Sequence, residues 1–188
     1  MSSKNVWDNE NLIKTLLENG VAVMPTDTIY GMVGKAQNES TVSRIYAIRN
    51  RNSEKPCIIL IGDLSELDKF SINITESQKD ILKEFWPGPV SIVLDCPDES
   101  LSYLHRGTKT LAFRMPRPEG LRSLLVKVGP LVAPSANMEK FPSSESISDA
   151  KGYFGDKVDL YVDGGVLGGK ASKVIKLNTD GTINVLRV

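Results

Sequence analysis

Polar side chains able to do chemistry gather at a few stations along the chain. Thr26, Asp27, Thr28 and Tyr30 fall within five positions, directly after the apolar run Val21–Met24 and before Gly31 and Gly34. Arg49, Arg51 and Lys55 put three cations within seven positions. Thr110 and Arg114 bracket the apolar Leu111-Ala112-Phe113, and Ser135, Asn137 and Ser143 follow Ala133-Pro134. Late in the chain, glycines 164, 165, 168 and 169 precede Ser172, and Arg187 is the penultimate residue.

Each station admits a plain reading and a functional one. Hydroxyls and a carboxylate beyond a strand end lie where open α/β sheets bind ligands, though polar loops are common there. The cations at 49–55 either complement a helix C-terminal dipole or hold a polyphosphate through bidentate guanidinium donors. In strand alternation Thr110, Ala112 and Arg114 share one face. An arginine on that face needs a partner, either a structural carboxylate or an anionic substrate group. Ser135 and Asn137 form a simple turn or face one ligand together. The late glycines allow backbone amides to approach phosphate.

Some chemistry is excluded. His105 is the only histidine, and Cys57 and Cys96 show no metal-ligand spacing, so a histidine triad or a zinc site has little to build with. No GxxxxGK[ST] or GxGxxG pattern occurs.

The elements that must position these groups alternate. Asp8 or Asn9 caps a helix with Leu12, Ile13, Leu16 and Leu17 on one face. Val21–Met24 reads as a strand ended by Pro25. Ser40 is expected to cap a second helix through Arg49, Cys57–Ile61 reads as a strand, and Asp63–Phe70 as a short helix. Thr75 and Gln78 form a capping-box pair for the helix that stops at Trp86-Pro87-Gly88-Pro89. Strands follow at Val90–Asp95 and Thr110–Met115, a helix at Glu119–Val128, and a strand at Leu131–Pro134. Ser144 or Ser146 starts the last helix. Leu160–Asp163, Lys173–Leu177 and Ile183–Val188 close the chain as strands, the last two joined by a hairpin at Asp180-Gly181. Such alternation with a terminal hairpin predicts an α/β fold with a mixed, twisted sheet and helices packed on it.

Bulk properties fit one domain over residues 1–188. The 188 residues are 40% hydrophobic, with 23 basic and 23 acidic side chains, so no global field favours nucleic acid or membrane. No apolar run reaches the roughly 18 residues of a membrane span. The polar start MSSKNVWDNE is unlike a signal peptide, and the expected setting is a reducing cytoplasm.

Taken in order, PTDTIYG, RNR with KP, WPGP, TLAFRMP, APSAN, and GG followed by Ser172 and a terminal arginine resemble the YrdC/TsaC family of L-threonylcarbamoyladenylate synthases. The resemblance runs from about Leu12 to Arg187. It implies a single-domain YrdC-like fold with a concave, locally positive cavity. The implied reaction joins L-threonine, bicarbonate and ATP into threonylcarbamoyl-AMP and pyrophosphate, with Mg2+ held mainly by ATP phosphates and water. Separate tRNA threonylcarbamoyl-transferase proteins would then use the product for tRNA modification. The chain stops at Val188, which within the family points to the short form. An RNA-binding module of the same fold, contacting tRNA or double-stranded RNA, and a paralogue with another carbamoyl-type substrate are the alternatives. The 6% aromatic content argues against the RNA module.

Position by position, the resemblance implies that Thr28, Tyr30, Arg114, Ala133 and Ser172 bind L-threonine. Arg51, Lys55, Thr110, Ser135, Asn137, Ser143 and Arg187 would bind ATP, with Arg49 and Arg51 catalytic. The chain departs from the family pattern in places. Arg49 stands for the usual lysine and Ser91 for threonine, SANMEK replaces SANxSG, and Ser172-Lys173-Val174 replaces S-T-V.

Overall fold

The computed structural model describes residues 5–188; the first four residues of the polar N-terminal stretch lie outside the described residues. In chain order the elements are α1 (Glu10–Leu17), β1 (Ala22–Pro25), β2 (Tyr30–Lys35), α2 (Glu39–Arg49), β3 (Ile58–Leu60), α3 (Glu76–Phe85) and β4 (Val90–Asp95). They continue with α4 (Ser102–His105), β5 (Thr110–Arg114), α5 (Glu119–Val128), β6 (Leu131–Val132), α6 (Ile147–Phe154), β7 (Leu160–Tyr161), β8 (Lys173–Leu177) and β9 (Ile183–Arg187). Asp63–Phe70, expected as a short helix, is a 3-10 helix over Leu64–Phe70 with Asp63 as its cap.

The strands form one mixed sheet in the order β7-β1-β2-β6-β3-β5-β4-β8-β9. β3 runs parallel to β5 and β4 parallel to β8, whereas β1–β2 and β8–β9 are antiparallel hairpins. The mixed α/β sheet expected from the alternation is therefore what the chain forms. The α3 capping box between Thr75 and Gln78 and the cap at Asn9 are both present.

Two expectations need correction. The stretch after Pro25 is not an open exit from a strand. Pro25 pairs with Tyr30, and β2 folds straight back along β1. Gly31 and Gly34 hid this strand, because glycine normally weakens strands. Here Gly34 serves close packing: a Cβ on it would lie 2.4 Å from the Thr41 methyl of α2. Helix α2 is capped by Asn38, whose Oδ1 accepts the Thr41 amide at 2.9 Å; Ser40 only donates to that same oxygen.

Helices α1 and α5 pack together on one face of the sheet. Leu12, Leu16, Leu121, Leu124 and Leu125 cover Ala22, Met24, Val33, Leu60 and Leu131. That cluster draws on β1, β2, β3 and β6, and among the described residues takes no side chain from β4, β5, β8 or β9. The opposite face carries the larger core, including Tyr30, Ile59, Phe113 and Ile175. One half of one sheet face is thus left without a helix on it.

Candidate functional site

The uncovered half-face holds a cavity of about 370 Å3. Its floor is a row of side chains in register across three strands: Ile58 of β3 opposite Ala112 of β5, and Ala112 opposite Val93 of β4. Thr110 and Arg114 flank Ala112 on the same face, as strand alternation requires, while Leu111 and Phe113 point into the core.

The β1–β2 turn forms one wall. Thr26 organises it, its Oγ1 donating to the Ile29 carbonyl at 2.6 Å and accepting from the amides of Thr28 and Ile29. Thr28 and Tyr30 then line the cavity. The Tyr30 hydroxyl donates to the Gly165 carbonyl at 2.7 Å and accepts from the Gly164 amide at 2.8 Å. It thereby straps the glycine-rich segment across the turn. A Cβ on Gly169 would lie 2.0 Å from the Thr28 carbonyl, so the strap passes where only glycine fits.

Arg114 meets a carboxylate rather than standing free. Asp27 Oδ1 accepts from Arg114 Nε at 3.1 Å and stands 3.0 Å from Nη2 as an ion pair, and the two side chains are 3% and 4% exposed. The other oxygen, Asp27 Oδ2, is buried with no partner. Burial raises the Asp27 carboxyl above its usual range, and the Arg114 charge only partly opposes this. Arg114 is lowered, first by burial and then, against the pull of Asp27, by neighbouring Arg187.

Two further guanidinium groups face the cavity, each held by backbone carbonyls. Arg51 donates to the carbonyls of Lys55 and Pro56. Arg187 donates to the Ser172 carbonyl through Nε at 3.0 Å and Nη2 at 2.7 Å. Ser172 itself bonds Ser91 at 2.8 Å. Three arginines line this space, and among the described residues no aspartate or glutamate does. The field inside is therefore positive although the chain as a whole is neutral.

Of the residues singled out in the sequence, Thr28, Tyr30, Arg51, Thr110, Arg114, Ala133, Ser135, Ser172 and Arg187 share this one cavity. The others stand elsewhere. Arg49 lies on the inward side of the last turn of α2 and is 2% exposed. Its Nε donates to the Asn137 carbonyl, and its Nη2 donates to Ser135 Oγ and Asn137 Oδ1. Burial, with Arg51 nearby, lowers it to about 10. Asn50, in the left-handed conformation at φ 48°, then turns the chain so that Arg51 and not Arg49 reaches the cavity.

Asn137 fastens its own loop, donating to the carbonyls of Met138 and Phe141. Arg49 and Asn137 thus brace Ser135 from behind the cavity wall. Lys55 is tied to Glu139 at 2.7 Å, outside the lining. Ser143 is exposed and borders a separate surface depression with Glu145, Asp149 and Tyr153.

Two contributors went unassigned in the sequence. Asp27 was visible within the polar cluster, and the need of Arg114 for a partner was the signal that pointed to a carboxylate. Glu139 was visible only as a departure in SANMEK. Nothing local indicates that it crosses to Lys55.

The chain is an α/β protein whose half-covered mixed sheet carries a cavity lined by three arginines. The family model Sua5_yciO_yrdC, described as "Telomere recombination", matches residues 14–188, and the chain belongs to that family. It is 34% identical over 168 residues to the threonylcarbamoyl-AMP synthase of Bacillus subtilis, covering 88% of this chain and 49% of that protein. It is 33% identical over 149 residues to the Pyrococcus abyssi threonylcarbamoyl-AMP synthase, covering 79% of this chain and 44% of the relative. The chain therefore spans about half the length of these curated relatives.

Among solved structures, P. abyssi Sua5 complexed with L-threonine superposes with a TM-score of 0.86 at 31% identity, over 97% of this chain and 54% of that one. E. coli YciO superposes with a TM-score of 0.81 at 26% identity, over 94% of this chain and 86% of that one.

Proposed function

We propose that this chain forms threonylcarbamoyl-AMP and pyrophosphate from L-threonine, bicarbonate and ATP, as one domain over residues 1–188. The observation that carries the reading is the convergence of Arg51, Arg114 and Arg187 on one cavity with no lining carboxylate. Its volume of about 370 Å3 lies within the range of about 300–1,000 Å3 usual for small-molecule sites. The similarity to named synthases, and to a Sua5 structure complexed with L-threonine, supports the same reading.

In this reading Arg114 receives the threonine carboxylate, and Thr28, Ala133 and Ser172 border the amino acid. Arg51, Arg187, Thr110 and Ser135 face the nucleotide. The threonine amine nitrogen bonds the bicarbonate carbon, the amine proton and the hydroxide it displaces leave as water, and the product is a carbamate. A carbamate oxygen then attacks the α-phosphorus, and the bond to the β-phosphate oxygen breaks to release pyrophosphate. Such a step needs alignment and neutralisation of spreading negative charge, not a covalent nucleophile. Guanidinium and hydroxyl groups are the right inventory for it. The lining set offers no carboxylate for a protein-held cation, so Mg2+ would ride on the ATP phosphates and water. Lys55 reaches a phosphate only after leaving Glu139.

Arg49 and Asn137 act in this scheme by fixing Ser135, and Ser143 remains remote from it. The product would pass to separate tRNA-modifying transferase proteins in the cytoplasm. Among the described residues no helix is long and apolar enough to cross a membrane. The test is pyrophosphate release with each of L-threonine and bicarbonate omitted in turn. Release that needs both supports the reading. Release that is indifferent to threonine points to another acceptor, and no release overturns it.

A further inference from the structure

We propose that Asp27 is a positioning residue that aims Arg114 at the carboxylate of the bound amino acid and so sets the requirement for that carboxylate. The inference deepens the proposed function and rests on its placement of the amino acid at Arg114.

Arg114 ends β5 on the cavity face, and Asp27 sits in the β1–β2 turn, 87 positions away in sequence. A guanidinium has five N–H donors in a fixed plane. Asp27 Oδ1 accepts from Nε and stands 3.0 Å from Nη2, so it covers the edge those two nitrogens form. Occupying that edge fixes the rotation of the plane, and Arg114 is among the residues that line the cavity. Without Asp27 the arginine would be a buried charge free to turn toward the nearest carbonyl.

Asp27 in turn is held where it must be. The Thr26 hydroxyl closes the turn on the Ile29 carbonyl, and the glycine strap lies over Thr28. The carboxylate does not line the cavity, so it competes poorly for the ligand's own position. Its partnerless Oδ2 means that the pair is only half-satisfied by hydrogen bonds. The charged groups facing Asp27 are Arg114 from β5 and, through Arg114, Arg187 from β9. Two cations against one recessed anion leave a net positive charge for a ligand carboxylate to neutralise.

The experiment compares binding of L-threonine and of L-threoninol, which lacks the carboxylate, by calorimetry on the wild type, D27A and D27N. Steady-state KM values for L-threonine and ATP accompany it. D27A is expected to weaken L-threonine about 10- to 100-fold, the scale of a ligand group misplaced by an ångström, with threoninol changed far less. The KM for ATP should stay within about twofold, because the nucleotide side is built from other arginines. D27N retains an acceptor for Arg114 and should recover most of the L-threonine affinity.

Equal weakening of both ligands by D27A, or unchanged L-threonine binding, overturns the proposal. If D27A does not fold, D27N against wild type carries the test: loss of L-threonine affinity as large as that expected for D27A would overturn positioning by an acceptor. Failure of the wild type to bind L-threonine would instead sink the proposed function, and the two failures are distinguishable.

Discussion

Glu139 places its carboxylate on Lys55, Oε1 to Nζ at 2.7 Å across 84 positions of sequence, and its Oε2 also accepts the Asn52 amide. The Glu139 amide meanwhile donates to the Arg49 carbonyl at 3.1 Å. One residue thus staples the loop after α2 to the loop after Ser135. Its charge is felt by Arg49 and Arg51 as well as Lys55. A carboxylate therefore stands among Arg49, Arg51 and Lys55, beside the arginine proposed to meet ATP from this loop.

Removing that carboxylate should help the nucleotide. E139Q is expected to tighten ATP binding roughly two- to fivefold, the scale of a surface ion pair, since Lys55 is 60% exposed. The gain should fade as salt is raised. Titrating ATP at low and high ionic strength checks this, and weaker binding by E139Q would show that the staple orders the site instead.

Acid stability should separate Glu139 from Asp27. Hydrogen bonds from Lys55 and Asn52 hold Glu139 at about 2, below its ordinary 4.5. A depressed carboxyl stabilises the fold above its unfolded value and loses that contribution as pH falls, so wild type should weaken between about pH 4.5 and 2 more steeply than E139Q. Asp27 has the opposite sign. Its carboxyl is raised by burial from 3.8, so its contribution is full below 3.8 and is lost as pH rises through the raised value. Relative to wild type, D27N should therefore gain stability over that rise. Urea unfolding from pH 2 to 7 on all three proteins measures both slopes.

Gly169→Ala tests the strap. A methyl 2.0 Å from the Thr28 carbonyl meets backbone that cannot yield cheaply. A loss of about 1–3 kcal/mol is expected, with weaker L-threonine binding because Thr28 and Ser172 lie on the two segments pushed apart. Denaturant midpoints together with threonine calorimetry check it. A stable variant with normal threonine affinity would remove the strap from the site.

Ala112→Leu should separate ligand binding from folding. Ala112 points into open cavity, between Ile58 and Val93, so added methylenes fill ligand space rather than core. The thermal midpoint should change little, by about 4 °C at most, while L-threonine and ATP affinities fall by about tenfold or more. Preserved binding would place the ligands off this floor.

What the sequence revealed and concealed follows from the range of each interaction. Alternation along β5 placed Thr110, Ala112 and Arg114 on one face, because a strand's period is local. The cap at Asn9 and the Thr75–Gln78 box were legible for the same reason. Strand β2 was not, since Gly31 and Gly34 resemble loop residues until α2 packs against Gly34 and the Pro134 carbonyl comes up to Gly31. Arg49 and Arg51 look equivalent in sequence. Only the left-handed turn at Asn50 sends one behind the wall and the other through it. The links of Asp27 to Arg114 and of Glu139 to Lys55 join distant loops, and no local pattern encodes them.

The cavity owes its existence to where helices stop. Because α1 and α5 shield the β7-β1-β2-β6-β3 side, the hollow is carved by omission, and its base is hydrogen-bonded sheet rather than movable loop. Natural variation in ligand size should then come from the rim segments, the β1–β2 turn and the glycine strap, while the bed beneath them stays constant.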